Sequence, residues 1–280
     1  MTSSDRTDCL EADRPEGARA VEILRVRDAV ESATDYVVEE APVALVYNGI
    51  SHAVMMTTPR DLEAFAVGFS LAEGIVKSTD EIYGIEVEDT CRGKAVKLEV
   101  ASSAFWALKS RRRSMAGRTG CGLCGVESLG DAVRTPSVVP QTQTFSIRHL
   151  DQALAYLNDA EELGHLTGCT HAAVWVNPDG TLAGGAEDVG RHVALDKLLG
   201  KRALNGWKEG ALVLSSRASY EMVSKAAACG VEVIFAVSAP TALAVDTARQ
   251  AGVTLAAFCR RGRANIYAHP ERITDIIAGD

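Results

Sequence analysis

The chain has 280 residues, of which 47% are hydrophobic and 24% charged, as is ordinary for a globular protein. Its formal net charge of -8 excludes a surface that is basic overall, which a nucleic-acid-binding protein would need. No run approaches the roughly 18 apolar residues of a membrane span, and the polar N-terminus lacks the apolar stretch of a secretory signal. We therefore expect a cytoplasmic protein that binds neither nucleic acid nor membrane.

The length allows one large domain or two modest ones, and the character of the sequence changes near residue 145. The first twenty residues are polar and acidic, which indicates a tail without fixed structure. We predict a disordered tail over residues 1–20, a β-rich lobe over residues 21–145 and an α/β lobe over residues 146–280.

The first lobe combines strands with one clear helix. Asn48-Gly49 lies between two β-like runs and is the strongest short hairpin signal in the chain. The helix that follows is predicted to begin with Thr58 as its N-cap and Pro59 in its first turn, and to stop at Gly74. The strands predicted in this lobe are a hairpin within Ala44–Met56, then Ile85–Asp89 and Ala95–Val100.

The second lobe alternates apolar strands with helices. Its central strands are apolar on both faces, as expected of parallel strands buried between helices, and this pattern predicts an α/β fold. The predicted strands are His171–Val176, Val213–Leu214, Val231–Val237 and Val253–Phe258, and the predicted helices are Ser146–Leu157, His192–Leu199, Tyr220–Ala228 and Thr241–Ala251.

Two of the seven cysteines form a closely spaced pair, Cys121-Gly-Leu-Cys124. A cytoplasmic protein is not expected to use its cysteines in a disulfide framework. The pair could be half of a zinc site, a thioredoxin-like redox pair or a persulfide relay. A zinc site needs two further ligands of matching spacing, and the sequence has neither a second such pair nor a finger-like pair of histidines. The remaining cysteines are isolated: Cys9, Cys91, Cys169, Cys229 and Cys259, of which the last two are expected to be buried thiols.

The residues before the pair favour a reactive thiolate. Residues 102–130 lack a clear period, are rich in Arg, Ser and Gly, and are predicted to form a long mobile loop. Nearby cations stabilise a thiolate over a thiol, and the surrounding glycines leave the sulfur open to a bulky partner. A solvated surface loop with incidental cysteines remains an alternative. The cations of this segment are Lys109, Arg111, Arg112, Arg113 and Arg118.

Two polar segments follow predicted parallel strands, and both are candidates for binding an anionic ligand. In doubly wound folds, ligands lie beyond the carboxyl ends of the strands, so these segments should line one crevice. Three arginines beside a glycine suit a phosphate clamp, and hydroxyls at a helix N-terminus suit a phosphate site. A charged turn and ordinary helix capping by Ser219 are the alternatives. The candidate residues are Ser216, Arg217, Ser219, Phe258, Cys259, Arg260, Arg261, Gly262 and Arg263.

A third polar cluster, Glu187, Asp188, Arg191 and His192, precedes the helix predicted at His192–Leu199. A carboxylate and a histidine beside a helix N-terminus could be acid–base machinery or an anion site. The alternative is an ordinary helix start, with Asp188 as its cap and Lys197 exposed on the surface.

Seven blocks in one order resemble the FdhD family of formate dehydrogenase accessory sulfurtransferases. They are TPRDLEAFAVGFSLAEGIV, GRTGCGLCGVESL, LTGCTHAAVWV, EDVGRHVALDKLLG, SSRASYEMVSKAA, AVSAPTALAV and FCRRGRANIY. The resemblance covers nearly all of the chain beyond the tail. It implies a small N-terminal lobe joined to a three-layer α/β lobe similar to cytidine deaminases, without the deaminase zinc site or any structural metal.

The resemblance also implies a function. Family members accept sulfur from a cysteine desulfurase as a persulfide and pass it to the molybdenum bis(molybdopterin guanine dinucleotide) cofactor that formate dehydrogenase needs. Carried over, Cys121 bears the persulfide, Cys124 assists, and the segment Phe258 to Arg263 binds the cofactor. A homodimer is implied as well. The alternative function is a chaperone that delivers the cofactor to the formate dehydrogenase apoenzyme without sulfur chemistry.

Overall fold

The structure, a computed structural model, describes residues 15–115 and 137–276, and for residues 111–115 it describes the backbone alone. Among the helices in these two ranges, none has both the length and the apolar character that crossing a membrane requires. The thiols Cys121 and Cys124 lie outside the described residues, as do Arg118, most of the predicted tail and the last four residues.

Both halves of the described chain contain strands and helices. The strands are β1 (Ala18–Val26), β2 (Val30–Val38), β3 (Ala41–Tyr47), β4 (Ile50–Thr57), β5 (Ile82–Thr90), β6 (Gly93–Val100), β7 (Phe145–Ser146), β8 (His171–Val176), β9 (Leu182–Asp188), β10 (Ala211–Leu214), β11 (Val233–Ala236), β12 (Thr254–Arg260), β13 (Arg263–Ala268) and β14 (Ile273–Thr274). The helices are α1 (Leu62–Ala72), α2 (Ser102–Met115), α3 (Leu150–Asp159), α4 (Glu162–Thr167), α5 (Arg191–Asn205), α6 (Tyr220–Ala228) and α7 (Ala242–Ala251). Short 3-10 turns cover Thr79–Glu81, Ile147–His149 and Pro270–Arg272.

The first half contains a two-stranded ribbon, β1–β2, and a four-stranded sheet in the order β4-β3-β6-β5. The predicted hairpin is confirmed: Asn48 and Gly49 connect β3 to β4 with φ angles of 44° and 81°. Alternate residues of β3, among them Val43 and Leu45, are fully buried beneath α1 and form one core with it.

The second half is built on a six-stranded sheet in the order β13-β12-β11-β10-β8-β9. Strands β10, β11 and β12 run parallel, and the other neighbours are antiparallel. Alternate residues of the central strands face two separate cores. One core contains residues of α5, α6 and α7, and the other contains residues of α3. Helices therefore cover both faces of the sheet, and the predicted α/β fold is confirmed.

Several details of the sequence prediction are wrong. The predicted mobile loop at residues 102–130 begins instead with α2, because Ala104 and Leu108 are spaced one helical turn apart and pack into the core of the first half. Strand β1 starts at Ala18, inside the predicted tail, and its partner β2 was not predicted. Strand β9 was missed because its Gly184 and Gly185 are poor strand formers. Lys197, expected on the surface, is fully buried.

Thr58 does not cap α1. That helix begins at Leu62, after Asp61 in the left-handed region with φ 54°. Thr58 is buried instead, and both its backbone N–H and its hydroxyl donate to Asp188 Oδ2, at 2.9 and 2.8 Å. Lys197 Nζ lies 2.7 Å from the same carboxylate oxygen and 2.7 Å from the Thr58 hydroxyl. A fully buried ion pair thus joins β9 and α5 to the segment before α1.

The contact between α1 and α5 depends on two glycines. A Cβ atom on Gly68 would lie 1.7 Å from the Asp196 carbonyl oxygen, and one on Gly200 would lie 1.8 Å from the Ala64 carbonyl oxygen. The two helix backbones therefore approach more closely than any side chain at these positions would permit.

A second buried ion pair lies at the same interface. Lys225 of α6 contacts Asp196 of α5 at 2.7 Å and Glu73, just after α1, at 3.3 Å. Burial raises the pKa of Asp196 to about 6, against the opposing effect of Lys225. Burial of these charged groups costs solvation free energy, which their pairing offsets. Because each charge needs its partner, the pairs fix how α1, α5 and α6 fit together.

We expect Gly200→Ala to destabilise the protein by at least about 2 kcal/mol, because the added methyl group must push α1 and α5 apart. The gain of roughly 1 kcal/mol in helix propensity is too small to offset this. Urea unfolding measures the change. Gly84→Ala is the control, because its Cβ would come no closer than 3.6 Å to another residue. Equal stability of the two variants would contradict the close-contact argument.

Lys197→Met should cost about 3–5 kcal/mol of unfolding free energy, because it leaves the buried Asp188 charge without a partner. The matched control is Lys97→Met, which removes an ion pair to Glu88 from a surface where water and salt already screen it, and which should change stability little. Thermal and urea unfolding of both variants test the comparison. A similar loss in both would mean that the burial of Lys197 is not the cause.

Candidate functional site at the carboxyl edge of the six-stranded sheet

The two ligand-binding segments predicted from the sequence lie at one edge of the sheet. Because β10, β11 and β12 are parallel, their carboxyl ends meet there. Residues 237–241, which follow β11, lie between the two segments: Ala218 N–H donates to Ala239 O at 3.2 Å, and Phe258 N–H donates to Ser238 O at 3.2 Å. The edge therefore brings together Ser216, Arg217 and Ser219 on one side and the Phe258–Arg263 segment on the other.

The serine segment contains one buried hydroxyl without a hydrogen-bond partner among the described residues. Ser216 is buried, and its hydroxyl donates to the Arg217 carbonyl oxygen at 3.1 Å. Ser219 occupies the N-cap position of α6, but its side chain makes no capping hydrogen bond. Its Oγ is buried and has no hydrogen-bond partner among the described residues. The ordinary capping role considered for Ser219 is therefore not observed, and Arg217 beside it is exposed.

The arginine segment forms the connection between β12 and β13. Phe258 has a φ angle of 52°, is 43% exposed, and lies where the register of the two strands shifts. Arg260 Nη1 donates to the carbonyl oxygens of Val237 and Cys259, at 2.5 and 2.7 Å. The backbone thus holds the Arg260 side chain against the edge. The left-handed backbone turns the Phe258 ring outward.

The tip of this connection is fixed from outside. Gly262 has a φ angle of 72°, and its N–H donates to Asp151 Oδ1 of α3 at 2.7 Å. The side chain of Arg261 is 94% exposed and lies 3.8 Å from the same carboxylate group. Arg263 is exposed as well. All three predicted clamp arginines are therefore exposed, and the turn that carries Arg261 and Arg263 has its backbone held in place.

The cluster before α5 contains two carboxylates that stabilise the fold, Glu187 and Asp188, and two partly buried basic residues, Arg191 and His192. Glu187 accepts the backbone N–H groups of Leu163 and Gly164 at 2.9 and 2.7 Å, and so caps the start of α4. Asp188 is committed to Thr58 and Lys197, as described above. These two carboxylates are supports of the fold, and neither is free for acid–base chemistry.

Arg191 and His192 are partly buried at this edge. His192 Nε2 lies 2.5 Å from Glu221 Oε2 of α6, and burial is the main cause of a lowered pKa for this histidine. Arg191 Nε is buried without a hydrogen-bond partner among the described residues. A histidine that is neutral at ordinary pH can accept or donate a proton, so His192 is the acid–base candidate of this edge.

Sequence reasoning missed His171, Glu221 and Ser238. His171 is the first residue of β8, antiparallel to β10, and therefore lies at the same edge. Burial lowers its pKa, and the charge of Arg191 lowers it further. The feature of the sequence that could have indicated His171 is its position as a polar residue at the start of an otherwise apolar strand. Within residues 15–115 and 137–276, no group of three or more His, Cys, Asp or Glu side chains is arranged to hold a metal.

His171 should make the protein sensitive to mild acid. Its pKa in the folded protein lies below the ordinary 6.5, so the unfolded chain binds more protons as the pH falls through this range. Stability present above pH 6.5 is therefore lost on acidification towards the lowered pKa. We expect His171→Gln to lose less unfolding free energy than the original protein between pH 7 and roughly pH 5. Urea unfolding at both pH values gives the difference, and an unchanged difference would contradict the assignment.

Comparison with known proteins places the chain in a family. A crystal structure of a protein named, provisionally, as a formate dehydrogenase accessory protein from Desulfotalea psychrophila matches with a TM-score of 0.72. The two sequences are 24% identical over 91% of this chain and 99% of that chain, and at this identity the likeness establishes a shared fold. The sequence model of the FdhD/NarQ family matches residues 38–274. Because that match spans most of its length, this chain belongs to the FdhD/NarQ family.

Proposed function

We propose that this protein is a sulfurtransferase that serves the maturation of formate dehydrogenase. It accepts sulfur from a cysteine desulfurase as a persulfide on Cys121 and passes it to the molybdenum bis(molybdopterin guanine dinucleotide) cofactor. One observation carries the proposal: a Cys-Gly-Leu-Cys pair directly after a cationic segment, in a chain of the FdhD/NarQ family. The structural neighbour named for formate dehydrogenase supports the choice of target enzyme.

The environments of other cysteines support the choice of this pair. Burial raises the pKa of the Cys229 and Cys259 thiols to about 12, so both stay protonated and poorly nucleophilic near neutral pH. Cys91 and Cys169 are exposed, but each is isolated in the sequence. Persulfide chemistry with a resolving thiol needs two cysteines close together, and the 121–124 spacing supplies them.

The first transfer is a thiol exchange. The Cys121 thiolate attacks the terminal sulfur of the desulfurase persulfide, the sulfur–sulfur bond of the donor breaks, and the donor cysteine leaves as a thiolate. Cys121 then carries one additional sulfur atom. The cations Lys109 and Arg111 to Arg113, which precede Cys121 by 8 to 12 residues, are proposed to favour the attacking thiolate.

The second transfer is where Cys124 acts. Its thiolate attacks Cys121 Sγ, which releases the outer sulfur as hydrosulfide for the cofactor and leaves a disulfide between the two cysteines. The two electrons that reduce the sulfur come from the thiol pair. A cellular dithiol reductant then restores both thiols by exchange.

The cofactor is proposed to bind at the carboxyl edge of the sheet. Arg261 and Arg263 are exposed cations, so both can meet phosphate oxygens, and the nearby Ser219 hydroxyl is buried without a partner among the described residues. The outward ring of Phe258 offers a stacking surface for a guanine base. Cys259 is buried, so its contribution would come from its backbone. The proposed set is Ser216, Arg217, Ser219, Phe258, Cys259, Arg260, Arg261, Gly262 and Arg263.

The proposed setting is the cytoplasm, where thiols stay reduced. The proposed partners are the desulfurase, the formate dehydrogenase apoenzyme and a second copy of this chain in a homodimer.

Loading with desulfurase and cysteine, followed by mass spectrometry of the peptides, tests the function. We expect one added sulfur atom on the Cys121 peptide, and Cys121→Ala should lose both this sulfur and the activation of formate dehydrogenase. Cys91→Ala is the control, because that cysteine is exposed but isolated. If Cys121→Ala still accepts sulfur and still activates the enzyme, the proposed mechanism is wrong.

Further variants and a metal analysis separate the two alternatives, a cofactor chaperone and a zinc module. A chaperone without sulfur chemistry would keep its activity when both cysteines become serine, and would lose it in Arg263→Ala. A zinc module would reveal itself by stoichiometric zinc in the purified protein.

A further inference from the structure

Helix α2 carries an exposed aromatic side chain that the fold does not use. Ala104 and Leu108 face the core of the first half and are 7% exposed each. Trp106, on another side of the helix, is 60% exposed. Lys109, one turn further on, places its ammonium group 4.9 Å from the centre of the Trp106 ring. Tryptophan is among the residues that most often carry the energy of a protein interface, and the cation above it is attracted to the face of the ring.

The helix is also opposite in charge to the chain as a whole. Its sequence contains one lysine and three arginines and no acidic residue, whereas the chain has a formal net charge of -8. A cationic helix on an acidic protein attracts a partner with a local acidic surface. The remaining negative charge of the chain opposes a polyanion such as a nucleic acid, which would meet more surface than this one helix.

The position of the helix in the chain points to the kind of partner. Trp106 is nine residues before the helix end at Met115, which is about 14 Å along the axis. Six further residues reach Cys121, and these span at most about 21 Å even when fully extended. A protein bound on Trp106 is therefore held within reach of the thiol that is proposed to receive sulfur.

From these observations we infer that the surface formed by Trp106 and Lys109, the α2 docking surface, binds the protein that donates sulfur. This partner presents an apolar recess for the indole ring, bordered by carboxylates for Lys109. The inference rests on the proposed function, because it assigns a place to the donor of that reaction. It concerns binding alone, and the chemistry remains with Cys121.

The test compares two sulfur donors on the full-length protein. The desulfurase with cysteine must dock before it transfers sulfur, whereas inorganic polysulfide is small and needs no docking surface. The variants are Trp106→Ala and Lys109→Glu. Their controls are Leu24→Ala, at a side chain 70% exposed on the β1–β2 ribbon, and Lys77→Glu at an exposed lysine. The readouts are desulfurase affinity by calorimetry and the rate at which the Cys121 peptide gains sulfur.

We expect Trp106→Ala to weaken desulfurase binding by about tenfold or more and to slow loading from the desulfurase to match, as loss of an interface anchor does. Lys109→Glu should act in the same direction, and higher salt should weaken binding of the original protein. Loading from polysulfide should be unchanged in both variants, and both controls should behave like the original protein.

Four outcomes would overturn the inference. Unchanged desulfurase binding in Trp106→Ala removes the docking surface, while the proposed function survives if Cys121 still gains sulfur. If Trp106→Ala slows loading from polysulfide as much as loading from the desulfurase, Trp106 acts on the thiol segment of its own chain. Conversion of a dimer to a monomer by Trp106→Ala, seen in sedimentation, makes the occupant a second copy. Failure of the original protein to gain sulfur from either donor refutes the proposed function itself.

Discussion

The fold depends on a pair of opposite charges held away from water. Asp188 and Lys197 are both fully buried, and isolated burial of either charge would be strongly unfavourable. Thr58 completes the pair by donating its N–H and its hydroxyl to the carboxylate. The end of β9, the middle of α5 and the entry to α1 therefore have one permitted arrangement. Apolar packing alone would allow several, since it is not directional.

The α1–α5 contact depends on the same constraint. Gly68 and Gly200 let the two backbones touch, and the buried pair fixes where along each helix they do so. The pair of Lys225 with Asp196 adds α6 to the assembly. As a result the N-termini of α5 and α6 lie side by side, and this brings His192 and Glu221 into contact at the edge of the sheet. The geometry of the candidate site thus follows from charges buried several residues away from it.

The sequence was sufficient to predict the elements whose signals are local. Strands β10 to β12 are apolar on both faces, and Asn48-Gly49 specifies a tight turn by itself, so their positions follow from a few adjacent residues. Helix α2 was missed because a cationic run obscured a short apolar face. The roles of Thr58 and Lys197 were missed for a different reason. A threonine before a proline resembles a helix cap and a lysine resembles a surface residue, unless the distant carboxylate between them is known.

The candidate site was predictable to the same extent. Parallel strands bring their carboxyl ends together, so the meeting of the serine and arginine segments at one edge followed from strand order. The sequence did not separate Glu187 and Asp188, which support the fold, from Arg191 and His192, which are partly exposed at the edge of the sheet. Both kinds of residue are polar and precede the same helix. Only the partners of each side chain in three dimensions distinguish them.

The long separation between partners has a consequence for how the protein is made. Thr58 and Asp188 are 130 residues apart, and Thr58 and Lys197 are 139 residues apart. At ribosomal rates of about 5–20 residues per second, on the order of ten seconds pass between their syntheses. During that interval α1 has emerged while the helix that it packs against does not yet exist. For this time the nascent chain exposes the face of α1 that packs on α5, which makes it a natural client for chaperones that bind at the ribosome exit.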